Sequence, residues 1–117
     1  MGVRIISFSF RDRDCPQDAT LVVDCRRLPN PHKYPHLSKL TGKDPRVQEF
    51  LSGVTGEAAW LSKQTADVVA NAAGKDHVIA FGCVGGRHRS VAMAEMLGAG
   101  LRAQGLPVEI EHLSLVA

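Results

Sequence analysis

The segment from His77 to Gln104 constrains this chain more than any other. An apolar run, His77-Val78-Ile79-Ala80-Phe81, leads into a turn with two adjacent glycines, Gly85 and Gly86, and an amphipathic stretch starting near Ser90 leads out. That order predicts strand, tight turn and helix. On the helix Met93, Met96, Leu97 and Leu101 fall on one face, and Gly105 is placed to end it at C′. Val108 and Ile110, with Leu113 at the far end, supply a second strand and close a right-handed β-α-β unit.

The connection itself, Gly82-Cys83-Val84-Gly85-Gly86-Arg87-His88-Arg89-Ser90, has the composition of an anion cradle. A helix starting at its end leaves its first N–H groups unpaired and facing the turn, at the positive pole of the helix dipole. Gly85 and Gly86 let backbone N–H groups approach a bound oxyanion. Arg87 and Arg89 add charge in a planar fork that matches phosphate, and His88 between them can donate or accept. These nine consecutive residues favour one ligand type, a phosphate or a similar anion. The bland alternative is a glycine turn with two solvated arginines and a core cysteine; it makes no use of the strand before and the helix after.

The same letters hold a second reading. Cys83 to Arg89 has the spacing C-x5-R followed by Ser90, which resembles the phosphate-binding loop of cysteine-dependent phosphatases. On that reading Cys83 is a thiolate nucleophile, Arg89 clamps the phosphoryl oxygens, and Asp24 or Asp44 is the candidate general acid. Gly82 stands where many of those enzymes carry His. Spacing alone does not distinguish cleaving a phosphate ester from holding one.

Val3 to Phe10 alternates imperfectly and predicts a strand. Leu21-Val22-Val23 reads as a short strand buried on both faces, with Asp24 at its carboxyl end, the edge of an open α/β sheet where ligands bind. Asp24 and the cradle are therefore expected to face one site. From Arg26 to His36 the prolines Pro29, Pro31 and Pro35 predict a stiff extended loop without regular helix, a good mount for Asn30 and His32 as ligand candidates. His32 and His36 are four apart, but Pro35 between them argues against a metal site. Asp44-Pro45 predicts an N-cap and a short helix to Leu51, broken by Gly53 and Gly56. Glu57 to Ala73 predicts a longer helix with Leu61, Thr65, Val68 and Ala72 inward and Gly74 at C′, and Trp60 is expected in the core or at a subunit interface. Residues 1–117 are expected to form a single domain. Its class is α/β and Rossmann-like: a small, mainly parallel sheet of about four strands covered by helices, with the anion loop between a strand and a helix.

Composition narrows the partners. The apolar share of 44% and charged share of 22% are ordinary for a soluble domain. No apolar run approaches membrane-spanning length and Arg4 interrupts the first apolar segment, so no membrane partner and a cytoplasmic location are expected. Cys15, Cys25 and Cys83 form no C-x-x-C pair, which indicates neither a disulfide framework nor a zinc knuckle, fits a reducing compartment and calls for no metal or cofactor. Residues 1–46 hold nine Lys/Arg against five Asp/Glu, whereas residues 47–117 hold five against seven. The basic first part, with Arg26, Arg27 and Lys33, motivates an RNA-binding reading, although on charge alone simple solvation explains the count better.

Two segments, Val23-Asp24-Cys25-Arg26-Arg27-Leu28-Pro29-Asn30-Pro31-His32 and Gly82 to Val91, are together far more specific than a lone glycine loop. With Ser7-Phe8-Ser9-Phe10 and Leu40-Thr41-Gly42 they resemble, over nearly the whole chain, the C-terminal domain of the RNase adapter family RapZ. The resemblance implies a non-catalytic sensor that binds glucosamine-6-phosphate and self-associates as a homodimer. In the full-length adapter it implies contact with a small regulatory RNA whose cleavage by an endoribonuclease is promoted. By position, the implied sugar-phosphate ligands are Asp24, His32, Val84, Gly85, His88 and Arg89. Asn30, Cys83, Gly86, Arg87 and Ser90 complete the candidate set from the loop and the cradle. The sequence departs from the family at Val84, often Thr, at Arg27, usually apolar or aromatic, and at Lys33, often Trp. Full-length members also carry an N-terminal nucleotide-binding domain with a Walker A loop. No G-x-x-x-x-G-K-[ST] stretch occurs here, so ATP binding is not carried over and the domain is expected to stand alone.

Overall fold

The computed structural model describes residues 2–54, 56–71 and 75–115. Among these residues, β1 (Val3–Ser9), β2 (Leu21–Asp24), β3 (His77–Cys83) and β4 (Val108–His112) form one four-stranded parallel sheet in the order β2-β3-β1-β4. The helices are α1 (Pro35–Ser38), α2 (Pro45–Val54), α3 (Glu57–Asn71) and α4 (Arg89–Ala103), and a 3-10 turn spans Pro31–Lys33. The expected α/β class with a small parallel sheet is observed.

The central strands β1 and β3 carry the longest apolar runs, and central position is where such runs are fully dehydrated. Ile5, Phe8, Ile79 and Phe81 are completely buried, and Ile5, Ile79 and Phe81 form one cluster with Met93, Leu97 and Leu101 of α4. Each such side chain contributes about 1.5–3 kcal/mol relative to exposure. α4 ends as its sequence predicts. Gly105 has φ +84°, its N–H donates to Arg102 O at 2.9 Å, and the Leu106 N–H donates to Leu101 O at 3.2 Å, the two bonds of a Schellman cap.

Several expectations are corrected. β2 is an edge strand with β3 as its one partner, so it alternates between half-buried and exposed instead of being covered on both faces. The proline-rich loop is not wholly extended: Pro31 and Pro35 each sit at a first helical position, where no N–H is needed, and start the 3-10 turn and α1. α2 continues through Gly53 to Val54, because Val47 and Leu51, both fully buried, hold it against a glycine that weakens but does not forbid helix. On α3 the inward row is Ala58, Leu61, Thr65 and Val69; Val68 is exposed, and Trp60, 59% exposed, is not part of this chain's core. The expected Ala72, Ala73 and Gly74 end of that helix lies outside the described residues. Leu113 follows β4 rather than extending it, and its N–H donates to Ser7 O at 3.0 Å.

Because every strand is parallel, all carboxyl ends share one edge. Ser9, Asp24, Cys83 and His112 end there, and the glycine loop leaves from its middle to start α4. No helix of the described residues is long and apolar enough to cross a membrane.

Candidate anion site at the carboxyl edge of the sheet

The loop is built by backbone constraints before any charge is considered. Gly86 has φ +67°, and a Cβ there would lie 2.5 Å from Ser114 Oγ and 3.1 Å from Ser9 Cβ, so no other residue fits without strain. Ser9 Oγ donates to Val84 O at 2.6 Å, and the Phe10 N–H to Cys83 O at 2.9 Å, which occupies the loop's first carbonyls with β1-side donors. His88 gives α4 no side-chain cap, so the first-turn N–H groups keep their donor capacity.

Three consecutive side chains then staple the segment 26–42 to the start of α4. Arg87 donates from Nη2 to Lys39 O at 2.6 Å and from Nε to Leu40 O at 3.1 Å, and its own carbonyl accepts the Gly42 N–H at 2.9 Å. His88 Nε2 lies 3.1 Å from Ser38 O; a carbonyl only accepts, so the proton is on Nε2. Arg89 Nη1 donates to Arg26 O at 2.9 Å and to Leu28 O at 3.3 Å.

Between loop and staple lies a cavity of about 320 Å³. Arg11, Arg87, Arg89, His32 and His88 line it together with Asn30, Cys83, Val84 and Gly85, and no acidic residue does. Arg89 is only 8% exposed. Its Nε and Nη2 have no hydrogen-bond partner, and no carboxylate comes within ion-pair distance of it, among the described residues. A buried guanidinium without a counter-ion is costly, and an anion entering the cavity would supply one.

Residues 1–116 match the family model described as the RapZ C-terminal domain. The chain belongs to that family. A nucleotide-binding protein of Frankia alni is 39% identical over 121 residues, covering 98% of this chain and 42% of its own length. Nucleotide-binding proteins of Bifidobacterium adolescentis and of Anaeromyxobacter sp. strain K are 43% and 42% identical, covering 98% and 96% of this chain and 39% and 40% of their own lengths. The chain thus spans about two fifths of the length of these curated relatives.

In this RapZ-type domain the other candidate residues are distributed unevenly. Asn30 lines the cavity while its Oδ1 accepts the His32 N–H at 3.1 Å, and the His32 ring stands 6.3 Å from that of His88. Gly86 and Ser90 are buried, with Ser90 Oγ 3.2 Å from Cys83 Sγ. Asp24 does not line the cavity. Arg26 grips its carboxylate through Nη2 at 2.7 Å and Nε at 3.0 Å, and lies 4.0 Å above the Phe10 ring. Those hydrogen bonds hold the Asp24 carboxyl below the usual range. Arg26 is therefore an exposed cation paired with Asp24; Arg27 and Lys33 are exposed as well. Val84 is 47% exposed, so the hydroxyl that Thr would carry is missing from the solvent side of the cavity. Sequence reading missed Arg11, whose one signal is its place just past the carboxyl end of β1.

Burial pushes the His88 imidazole below its ordinary pKa and the Arg87 charge adds to this, while the bond to Ser38 O opposes both. His88 is thus neutral at pH 7. With the folded pKa depressed, the folded state binds fewer protons, so the contribution to stability is complete above about pH 6.5 and is lost as pH falls below it. An NMR titration of the ring should give a midpoint below the free-imidazole value, moving upward when phosphate is added; an unshifted midpoint in both states would contradict the burial account.

Proposed function

We propose that this domain binds a phosphorylated small molecule, an amino-sugar phosphate such as glucosamine-6-phosphate, with the phosphate held by Arg89 and the loop N–H groups. The observation that carries this reading is the buried Arg89 guanidinium, held by carbonyls alone among the described residues and bordering a cavity without acidic residues. Arg11 and Arg87 reinforce the field, and on this reading Asn30 and His32, which also line the cavity, meet the sugar hydroxyls. The cavity volume suits a ligand of that size.

Holding is favoured over hydrolysis by the carboxylates. A general acid must carry a proton, yet Arg26 on Asp24 and Arg46 on Asp44, at 2.9 Å, hold both below the usual carboxyl range, and neither borders the cavity. Nor is there room for His at Gly82, where a Cβ would overlap the Phe8 ring. Cys83 is read as a loop-packing residue. A regulatory adapter role at an RNA or RNase, as a cytoplasmic homodimer, is the wider reading that family membership supports, and Arg27 and Lys33, both exposed, are among the side chains that could meet RNA phosphates.

Isothermal titration with inorganic phosphate, glucosamine-6-phosphate and glucosamine tests the site. Binding of the first two and not the third is expected. Absence of binding by every phosphorylated compound would sink the reading, and aryl-phosphate hydrolysis that vanishes in Cys83→Ser would replace it with the phosphatase.

A further inference from the structure

Cys25 and Cys83 are lateral neighbours. The Cys25 N–H donates to Gly82 O at 2.7 Å, which carries the β2–β3 register, Asp24 opposite Gly82, one residue further and sets Cys25 beside Cys83. Parallel neighbours in register stand about 4.8 Å apart, inside the roughly 4.4–6.8 Å Cα window of a disulfide, and their side chains leave the sheet on the same face. Both thiols are free and sit in one buried cluster, 0% and 2% exposed. Cys83 nonetheless borders the cavity, and Cys25 does not.

We propose that Cys25 and Cys83 are a redox-active dithiol that closes to a disulfide when a peroxide enters the cavity. The Cys83 thiolate attacks one oxygen of hydrogen peroxide, the O–O bond breaks, and Cys83 becomes a sulfenic acid while the expelled hydroxide takes up a proton as water. The Cys25 sulfur then attacks the Cys83 sulfur, expelling hydroxide, which leaves with the Cys25 proton as a second water. Two thiols are oxidised by two electrons in all, and the peroxide is reduced to two waters. Burial, more than the neighbouring Cys83, raises the Cys25 pKa and keeps that thiol protonated, which suits the resolving and not the attacking role. In the reduced state Cys83 Sγ lies 3.2 Å from Ser90 Oγ, in the first turn of α4 beside Arg89. Such reversible pairs are the form in which disulfides occur in reducing compartments.

One consequence rests on the phosphate site proposed above: an anion in the cavity stands in the path of the peroxide. The test is peroxide treatment of the whole chain, alkylation in denaturant, and mass spectrometry of unreduced peptides. A Cys25–Cys83 linked peptide, reversed by dithiothreitol, with Cys15 still alkylated, is the expected result. In Cys25→Val the reaction should stop at a Cys83 sulfenic acid that dimedone captures. Phosphate at ten times its Kd should slow closure roughly tenfold by mass action. Oxidation of Cys83 with Cys25 still alkylatable, or an unoxidised Cys83 in folded protein, would overturn the dithiol. Closure at the same rate with and without phosphate would leave the dithiol standing and count against the anion site instead.

Discussion

Arg89→Leu should weaken phosphate binding at least about 100-fold, because the two guanidinium nitrogens left without partners, Nε and Nη2, are the donors an anion would use. Hydrogen bonds involving a charged group contribute about 1.5–3 kcal/mol each, so losing two spans roughly 100-fold to over 10,000-fold. The stability of the ligand-free domain should change far less, by about 2 kcal/mol or less, for two opposed reasons. The variant gives up the bonds to the Arg26 and Leu28 carbonyls, but it also removes a buried cation that has no carboxylate partner among the described residues. Thermal melts make the contrast visible: phosphate should raise the midpoint of the unmodified domain and leave that of the variant where it was. Arg89→Lys should fall between them, since a point charge replaces the fork. A folded Arg89→Leu domain with undiminished phosphate affinity would remove Arg89 from the site.

The central part of the fold was legible because local preference and tertiary environment agree there. The run from His77, the paired glycines, the apolar face of α4 and Gly105 each ask locally for what the sheet also requires. The edge position of β2 is not legible locally, because Leu21-Val22-Val23 looks the same on an edge as in the middle of a sheet; strand order is decided by partners far along the chain. Pro31 and Pro35 are incompatible with a helix interior but not with its first position, which they favour and occupy here.

The candidate site was legible in residue type more than in role. Charge and glycine content located the loop, yet Arg87 spends its fork on the carbonyls of Lys39 and Leu40, 48 and 47 residues away, a commitment no local pattern encodes. Asp24 was placed at the correct sheet edge, but Arg26, two residues on and stacked over Phe10, occupies its carboxylate. Arg11 enters the cavity from a loop whose sequence reads as a polar connection. What binds what at this edge depends on how residues 26–42 are laid against α4, and residues 87–89 fix that arrangement with three side chains in a row.

That arrangement predicts a large effect from the smallest of substitutions. A Cβ added at Gly42 would overlap the backbone nitrogen of Ala92 and the carbonyl oxygen of His88, and would lie 2.8 Å from the carbonyl carbon of Val91. These are main-chain atoms in the first turn of α4, anchored by the Ala92 N–H bond to His88 O at 2.9 Å, and they cannot rotate aside as a side chain would. Gly42→Ala should therefore cost about 3 kcal/mol, the upper end of overpacking penalties, which is a large part of a typical stability of about 5–15 kcal/mol. Phosphate affinity should fall with it, since the segment that Gly42 ties to the Arg87 carbonyl bears the acceptors that orient Arg87. Gly53→Ala provides the opposite sign from the same chemical change: it lies on α2 with nothing within 4 Å of its added Cβ, and should stabilise by about 0.5–1 kcal/mol through helix propensity alone. Urea denaturation of both variants checks the pair. A Gly42→Ala midpoint equal to that of the unmodified domain would mean that the 39–42 segment is not held against α4 by backbone contact, and the stapled cavity would lose its structural basis.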